Sequence, residues 1–344
     1  MTKRELFLAN SRGEFTDSTP IWIMRQAGRY LPQYREFKKN YTFEQLCRTP
    51  KAVAEVTAQP VEILDLDAAI IFSDILLILE PFGVNLRFNP GPTIFPVLES
   101  PGQIENFDSF DPADRLSFIG DALIEARKRI GPDIPLLGFC GAPFTLFCYL
   151  CGTKAARDFY KPIKFLTNYP AEGQKILDIL SETSINYLKM QLSAGADAVQ
   201  IFDTWAGELS GEEFAEWSLP YLKKILDSLS RDTAITSLYI RGSHHLLDRL
   251  KILPVNIIGL DWRVPLPTAR NMLSPKALQG NLDPHLLLGS QKYIIDTTTD
   301  ILDSMRDYPG FIFNLGHGIL PETPVENVKI LVGTVHRYKR NKNV

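Results

Sequence analysis

Eight short apolar runs recur along the chain, and most are separated by amphipathic stretches. Their residues are mainly aliphatic or aromatic and do not alternate with polar ones, which is typical of parallel strands buried on both faces. The runs cover residues 21–24, 68–73, 134–139, 198–202, 235–240, 257–260, 277–279 and 311–314. This alternation of strand and helix predicts a parallel α/β fold.

Eight strands suit an α/β (β/α)8 TIM barrel of about 250 residues, here a single domain spanning residues 1–344. The clearest helical stretches are 50–64, 171–193, 211–230 and 324–339. Thr49 and Thr323 each precede a proline, which predicts a threonine N-cap and a proline in the first turn. The surplus length predicts an N-terminal arm and a small insertion after the second strand, near 83–112, whose glycines and prolines suggest a hairpin.

An open doubly wound sheet is the alternative architecture for this pattern. That fold normally carries a glycine-rich phosphate turn after its first strand. Here the corresponding segment reads Gln26-Ala27-Gly28-Arg29, which is not G-x-G-x-x-G. The sequence therefore favours the barrel.

Composition limits the partners and the compartment. The net charge is −3 and no long basic run occurs, so bulk binding to nucleic acid or a membrane surface is not expected. Cysteine occurs four times, which is too few for a disulfide scaffold in 344 residues. The N-terminus lacks an apolar signal core, and no apolar run approaches 18 residues. We therefore expect a reduced, cytoplasmic protein.

Asp74 ends the second apolar run and is the first candidate for chemistry. The segments DAAIIFSD (67–74) and DAVQIFDT (197–204) align Asp74 with Thr204, which predicts polar groups at the same height on two strands. In barrel enzymes the chemistry lies at the C-terminal ends of the strands. Asp74 could simply cap the next helix, or it could point into the barrel together with Ile70 and Phe72, which share its parity.

Two arginines follow the first strand in PIWIMRQAGRYLPQYREF (20–37). If the loop is helical, the four-residue spacing of Arg25 and Arg29 places them on one face. With Gly28 allowing close backbone approach, the pair predicts a carboxylate or phosphate site. Salt bridges to barrel helices are the alternative, and Arg35 is expected to be a surface or structural charge.

Two further candidates follow later strands. Tyr149 lies on the apolar helix of GFCGAPFTLFCYLCG (138–152), where an aromatic residue is by default core packing. His317 stands between two glycines in NLGHGILPETP (314–324), just past the last strand. Metal binding has weak support, because the spacing of Cys148 and Cys151 is a lone C-x2-C in an apolar segment. Neither an H-E-x-x-H motif nor a Ser-His-Asp order occurs, so the sequence does not support a zinc protease or a hydrolase.

These motifs resemble the uroporphyrinogen decarboxylase family over nearly the whole chain. The matching segments are WIMRQAGRYLPQYR, LDAAIIFSDIL, GAPFTL, GADAVQIFDTWAG, GLDW, LQGNLDP and NLGHGILP. The resemblance implies cofactor-independent removal of four acetate carboxyls from uroporphyrinogen III, giving coproporphyrinogen III. It also implies a TIM barrel, a homodimer, and no metal or organic cofactor. The segment RGSHH (241–245) has no clear match.

The resemblance also implies residue roles. Arg25 and Arg29, with Gln26, Ala27 and Gly28 between them, are similar to the residues that bind the substrate's carboxylates. Asp74 is similar to the family's central aspartate, which accepts the pyrrole N–H groups. Tyr149, Thr204 and His317 match positions that contact this aspartate or the substrate. The proton donor is left open among a bound water, a substrate carboxyl and Arg25.

Two other functions compete with the decarboxylase. A zinc- and cobalamin-dependent thiol methyltransferase of the same superfamily would need an H-x-C pair, and no histidine lies two residues before a cysteine. The second competing function is that of a non-catalytic tetrapyrrole carrier. The presence of Asp74 and of both arginines argues against it.

Overall fold

The apolar runs form one curled parallel sheet. The structure is a computed structural model and describes residues 1–88, 91–103, 107–108, 110–230 and 234–340. The strands are β1 (Ala69–Ile70), β2 (Asn85–Phe88), β3 (Pro92–Phe95), β4 (Leu136–Gly141), β5 (Ala198–Asp203), β6 (Ile235–Ile240), β7 (Ile257–Gly259), β8 (Ala277–Leu282) and β9 (Phe311–Leu315). β1 and β4–β9 lie side by side in chain order, each parallel to its neighbours.

Residues 20–24, which we call the closing segment, complete the sheet as a barrel. Ile21 forms a parallel bridge with Phe313 of β9, and the Trp22 amide donates to the Phe313 carbonyl at 3.3 Å. On the other side, the amide of Asp67, just before β1, donates to the Ile21 carbonyl at 2.8 Å. The first and last parts of the sheet are thereby joined, and the predicted (β/α)8 barrel is confirmed.

The closing segment is less regular than the strand predicted for 21–24. Among the described residues, Ile21 is the one position of the closing segment with strand-like pairing. Three of the segment's backbone amides donate to side chains instead. The Ile21 amide donates to Asp67 Oδ2 at 2.9 Å, that of Ile23 to Gln26 Oε1 at 3.1 Å and that of Met24 to Asn314 Oδ1 at 3.0 Å. These bonds satisfy buried N–H groups that lack a regular strand ladder.

Helices surround the barrel. The α-helices are α1 (Lys3–Ser11), α2 (Pro32–Lys38), α3 (Phe43–Cys47), α4 (Pro50–Leu64), α5 (Pro112–Arg115), α6 (Ser117–Ile130), α7 (Pro143–Leu150), α8 (Tyr160–Asn168), α9 (Pro170–Ser193), α10 (Gly211–Trp217), α11 (Leu219–Ser230), α12 (Leu247–Leu250), α13 (Leu266–Leu273), α14 (Gln291–Ser304) and α15 (Val325–Arg337). Short 3-10 helices cover Leu77–Phe82, Pro101–Gln103, Ala156–Asp158, Ala206–Glu208, Ser243–His245 and Pro284–Leu288. None of the described helices is long and apolar enough to cross a membrane.

The helix starts test the capping predictions. Thr49 is the N-cap of α4, but its hydroxyl donates to the Gln45 carbonyl and caps nothing. Thr323 is not an N-cap, because Pro324 takes that place and α15 begins at Val325. The long 211–230 stretch is broken into α10 and α11 at Ser218, whose hydroxyl bonds a buried carboxylate instead.

The predicted arm and insertion are both present. In the arm, α1 places Phe7 in the same buried cluster as the side chains inside the barrel, at the N-terminal end of the strands. In the insertion, β2 and β3 form the expected antiparallel hairpin. The hairpin packs on the barrel helices through Phe88, whose ring centre lies 4.6 Å from that of Phe43.

The repeated DAAIIFSD and DAVQIFDT segments share a second feature at their first residues. Asp67 accepts the amide of Ile21, and Asp197 accepts the amide of Leu136 at 2.8 Å. Each carboxylate thus bonds the backbone of the preceding barrel position. Each also receives a cation from α1, because Lys3 lies 3.6 Å from Asp67 and Arg4 lies 2.8 Å from Asp197.

A polar layer crosses the barrel interior. The Trp22 indole N–H donates to Gln279 Oε1 at 2.8 Å, and the Gln279 amide donates to Gln200 Oε1 at 3.2 Å. The Ser237 hydroxyl donates to the same oxygen of Gln200 at 2.8 Å. All four side chains are buried, so this connected network fixes how the strands face one another.

Candidate active site

The predicted site residues gather at the C-terminal end of the barrel, which we call the mouth. Arg25 follows the closing segment, Asp74 follows β1, Tyr149 lies on α7 after β4, Thr204 follows β5 and His317 follows β9. The Arg25 charge is close enough to shift the pKa values of Asp74, Tyr149 and His317. The structure therefore brings Arg25, Asp74, Tyr149 and His317 to one place, and Thr204 follows the strand next to β4.

Arg25 has an unusual backbone for a non-glycine residue. Its φ is 63°, in the left-handed region. Two glycines make room for it, since a Cβ at Gly28 would lie 2.9 Å from the Arg25 carbonyl oxygen and one at Gly318 would lie 2.4 Å from Arg25 Cδ. The guanidinium is exposed and makes no hydrogen bond or ion pair with any described residue. An exposed, uncompensated cation held on a constrained backbone is suited to binding an anion.

Arg29 lies on the same loop but not on a shared helical face. Residues 24–31 form turns, and α2 begins only at Pro32, so the helical spacing argument for the two arginines is wrong. Arg29 is exposed, and its charge acts on Tyr34. Arg35 is a structural charge, because its Nη1 donates to the carbonyls of Arg29 at 2.7 Å and Tyr30 at 3.1 Å.

The residues between the two arginines differ in role. The Gln26 side chain is buried and serves the barrel wall: Oε1 accepts the Ile23 amide, and Nε2 donates to the Ala68 carbonyl at 3.0 Å. Its amide functions are thus already engaged within the protein. Ala27 and Gly28 are half-buried and leave the backbone beside Arg25 accessible.

Asp74 is half-buried and keeps one carboxylate oxygen free of described partners. Its Oδ1 accepts the Leu76 amide at 2.9 Å. Burial raises the pKa of Asp74, while the Leu76 amide and the Arg25 charge oppose the rise. The shared direction predicted for Ile70, Phe72 and Asp74 does not continue beyond β1, which ends at Ile70. Phe72 packs against Tyr34, with 5.7 Å between the ring centres. Asp74 is placed by the loop and not by a continuing strand.

Tyr149 and Thr204 lie on adjacent barrel positions. Tyr149 is half-buried, its ring contacts Trp205 edge-on at 6.5 Å, and burial and then the Asp74 charge raise its pKa. Thr204 is partly exposed. Its neighbour Asp203 is fully buried and accepts the hydroxyls of Thr145 at 2.6 Å and Ser218 at 2.8 Å. Burial raises the pKa of Asp203 to about 6.

His317 stacks on a tyrosine that the sequence analysis did not single out. The Tyr239 hydroxyl donates to the Gly316 carbonyl at 2.8 Å and lies 3.3 Å from His317 Nδ1. Since that hydroxyl proton is engaged, the tautomer that satisfies the pair protonates Nδ1 and leaves Nε2 as an acceptor. Burial, followed by the charges of Arg25 and Arg241, lowers the pKa of His317 to about 4. The imidazole is therefore neutral near pH 7.

Sequence reasoning missed the charges that follow β6 and β7. Arg241 follows β6 directly, in the RGSHH segment that showed no clear match. Asp261 follows β7, is fully buried, and accepts the Gly242 amide at 2.7 Å and Arg263 Nη1 at 2.8 Å. The GLDW motif could have pointed to Asp261, but nothing in the sequence marked Arg241.

The cysteines do not assemble a zinc site. All four are buried free thiols, and burial raises the pKa of Cys140, Cys148 and Cys151. Within the described residues, no three side chains of His, Cys, Asp or Glu are grouped as metal ligands. The ligands that the thiol methyltransferase alternative requires are thus not brought together in that part of the chain.

Comparison with known proteins separates the fold from the family. A methyltransferase from Methanosarcina mazei has a similar solved structure, with a TM-score of 0.83 over 97% of this chain and 98% of that one. It is 22% identical, so this likeness concerns the fold. Proteins named uroporphyrinogen decarboxylase are nearer in sequence. The relative from Pelobacter propionicus is 41% identical over 97% of this chain and 99% of its own length.

A second relative of the same name, from Syntrophotalea carbinolica, is 41% identical over 96% of this chain and 97% of its own length. The sequence model described as Uroporphyrinogen decarboxylase (URO-D) matches residues 2–338. That range includes the closing segment and every mouth residue described above. The chain belongs to the uroporphyrinogen decarboxylase family.

Proposed function

We propose that the protein removes the four acetate carboxyls of uroporphyrinogen III as CO2 and yields coproporphyrinogen III, a step of tetrapyrrole and haem biosynthesis. It is thus a carboxy-lyase. Besides family membership, one observation supports this most. The half-buried carboxylate of Asp74 and the unpaired guanidinium of Arg25 act on each other in the mouth.

The substrate's charges match this arrangement. Uroporphyrinogen has eight carboxylates on its rim and four pyrrole N–H donors at its centre. We assign rim carboxylates to Arg25 and Arg29, and the central N–H groups to the free oxygen of Asp74. Each charge-assisted hydrogen bond contributes about 1.5–3 kcal/mol, so three such groups fix the orientation of the macrocycle.

Decarboxylation needs a place for the electrons of the broken C–C bond. A proton added to the ring carbon next to the one that bears the acetate makes the ring cationic, and the bond to CO2 then breaks towards that cation, leaving an exocyclic methylene. A second proton completes the new methyl group, and the ring proton is returned, so each acetate consumes one net proton and releases one CO2. The Asp74 carboxylate stabilises the cationic ring more than the neutral one, which lowers the barrier.

The remaining residues position the substrate. Tyr149 and Thr204 line the mouth beside Asp74 and offer hydroxyls to substrate carboxylates. His317 offers the lone pair of Nε2 to a pyrrole N–H or a protonated carboxyl. Guanidinium is a poor acid, with a pKa above about 12, so we assign proton delivery to water or a substrate carboxyl before Arg25.

We propose that the protein acts without a metal or an organic cofactor, as a homodimer of single-domain chains in the cytoplasm. Four buried free thiols are consistent with a reducing compartment. Light scattering coupled to size exclusion tests the dimer, and a monomer at all concentrations would contradict it.

The function is tested by turnover. Purified protein, treated with a chelator, is incubated with anaerobically reduced uroporphyrinogen III, and the products are oxidised and separated by carboxyl number. We expect products with seven, six, five and finally four carboxyls. Tight binding without any decarboxylation would instead indicate a tetrapyrrole carrier. Stoichiometric zinc with methyl transfer to a thiol would indicate the methyltransferase.

A further inference from the structure

Arg241 lies across the mouth from Arg25. Counted around the barrel, the closing segment is position one, β1 position two, β4 position three, β5 position four and β6 position five. Positions one and five of eight are diametrically opposite. Arg25 follows position one and Arg241 follows position five, so the two arginines extend from facing walls.

The backbone at Arg241 is held by its neighbours. The amide of Gly242, whose φ is 75°, donates to the buried carboxylate of Asp261 at 2.7 Å. The loop after β5 approaches so closely that a Cβ at Gly207 would lie 1.8 Å from the Arg241 carbonyl oxygen. This segment is therefore packed between two barrel positions, and its side chain starts from a fixed point.

The charge of Arg241 is not compensated locally. Its guanidinium is half-buried and makes no hydrogen bond or ion pair with any described residue. Arg263, the neighbouring arginine, differs because it pairs with Asp261 at 2.8 Å and lies over the Trp262 ring at 4.4 Å. A half-buried, unpaired cation costs free energy unless an anion binds there, which indicates a binding role.

The electrostatics of the mouth place Arg241 at the site and not outside it. Arg25 and Arg241 both lower the pKa of His317, and both act on Tyr239. The stacked Tyr239–His317 pair thus lies within reach of cations from two opposite walls.

We propose that Arg241 binds a rim carboxylate of the tetrapyrrole on the wall opposite Arg25. This inference rests on the proposed function. A macrocycle centred on Asp74 presents carboxylates in every direction, so a cation on one wall alone leaves the far rim unbound. Arg241 supplies the second anchor, and the substrate is held across the mouth.

The test compares Arg241→Gln, Arg241→Lys and the control Arg115→Gln. Arg115 is exposed on α5, in the outer helical layer, so its loss changes the net charge equally. Losing one charge-assisted bond corresponds to about 10- to 100-fold in affinity. We expect Arg241→Gln to lower kcat/KM by that factor, mainly through KM, with kcat within about threefold. Arg241→Lys should recover part of the loss, and Arg115→Gln should match the wild type.

The design separates the two proposals. Wild-type turnover reports on the decarboxylase function, and the ratio of variant to wild type reports on Arg241. If the wild type binds tetrapyrrole but does not turn over, fluorescence titration with the octacarboxylate uroporphyrin gives the same affinity ratio. Unchanged KM and affinity in Arg241→Gln, with a far-UV spectrum and Tm like the wild type, would overturn the inference. So would equal losses in Arg241→Gln and Arg115→Gln.

Discussion

The absent side chain of Gly318 leaves the space that the aliphatic stem of Arg25 occupies. A Cβ at position 318 would lie 2.4 Å from Arg25 Cδ and 2.9 Å from its Cγ. The loop that carries Gly318 is also bonded to Met24, the residue before Arg25, because the Ile319 amide donates to the Met24 carbonyl at 3.0 Å. Of the two glycines that flank His317, Gly318 thus sets where the Arg25 cation lies.

Gly318→Ala should displace Arg25 without removing its charge. No left-handed φ is required at Gly318, so alanine is acceptable to the backbone and the side-chain overlap is the dominant effect. We expect kcat/KM to fall about 10- to 100-fold, since small displacements of a binding group are costly. The control is Gly102→Ala, where a Cβ meets nothing within 4 Å. Wild-type kinetics in Gly318→Ala would show that Arg25 is not held by this contact.

Asp74→Asn should bind substrate but decarboxylate it slowly. The amide keeps the shape of the side chain and loses the negative charge that stabilises the cationic ring. We expect kcat to fall by about 10²–10³ while KM changes little, measured in single-turnover assays under anaerobic conditions. Asp114→Asn, at an exposed position on α5, is the matched control. A kcat near that of the wild type would remove Asp74 from the chemistry.

The His317 imidazole should make the fold sensitive to acid. Its pKa is lowered to about 4 in the folded protein, from 6.5 for an unperturbed histidine, so the unfolded chain binds this proton first as the pH falls. The folded state therefore loses stability between pH 6.5 and 4, by about 3 kcal/mol for this group.

His317→Asn should remove that contribution. Denaturant titrations from pH 7 to 4 should show a smaller fall in unfolding free energy for the variant than for the wild type. Exposed His244 gives the control His244→Asn, whose titration should follow the wild type. Identical pH slopes for wild type and His317→Asn would contradict the burial of a neutral imidazole.

Asp67→Ala should weaken the closure of the barrel. Asp67 is buried, accepts the Ile21 amide, and lies 3.0 Å from His336 Nε2. Its loss leaves a buried donor unpaired, for which we expect about 2–4 kcal/mol of lost stability. Asp65→Asn is the control, because Asp65 is exposed and asparagine tolerates its φ of 61°. That change should cost less than about 1 kcal/mol. Equal effects of the two changes would argue against a special role for Asp67.

The strands could be predicted because each is buried on both faces and therefore appears in the sequence as a continuous apolar run. The prediction is least good at residues 21–24, where the amides bond side chains as remote as Asn314, which is 290 residues away in sequence. Such pairing has no local signature. The left-handed backbone of Arg25, which is incompatible with a helix through Arg25 and Arg29, likewise has no local signature in the sequence.

The candidate site residues could be proposed from the sequence where a polar residue ends an apolar run, as at Asp74, or stands between glycines after the last strand, as at His317. Arg241 also ends such a run, but a single arginine before a glycine is common at strand ends. What marks it is its place opposite Arg25 and the lack of a partner, and both emerge only once the barrel is closed. Asp203 was likewise hidden beside Thr204, because its partners Thr145 and Ser218 come from other parts of the chain.

The closing segment continues without a break into Arg25, so the residues that join the two edges of the sheet and the arginine proposed to bind the substrate belong to one peptide. A tetrapyrrole bound to Arg25 as proposed would also restrain the adjoining peptide, which the bonds at Ile21, Ile23 and Met24 hold to the barrel. Ligand binding at Arg25 and the stability of the bonds that close the barrel are thereby linked thermodynamically. The ligand-free enzyme should therefore exchange the amide hydrogens of the closing segment faster than the ligand-bound enzyme, so that this exchange reports whether tetrapyrrole is bound.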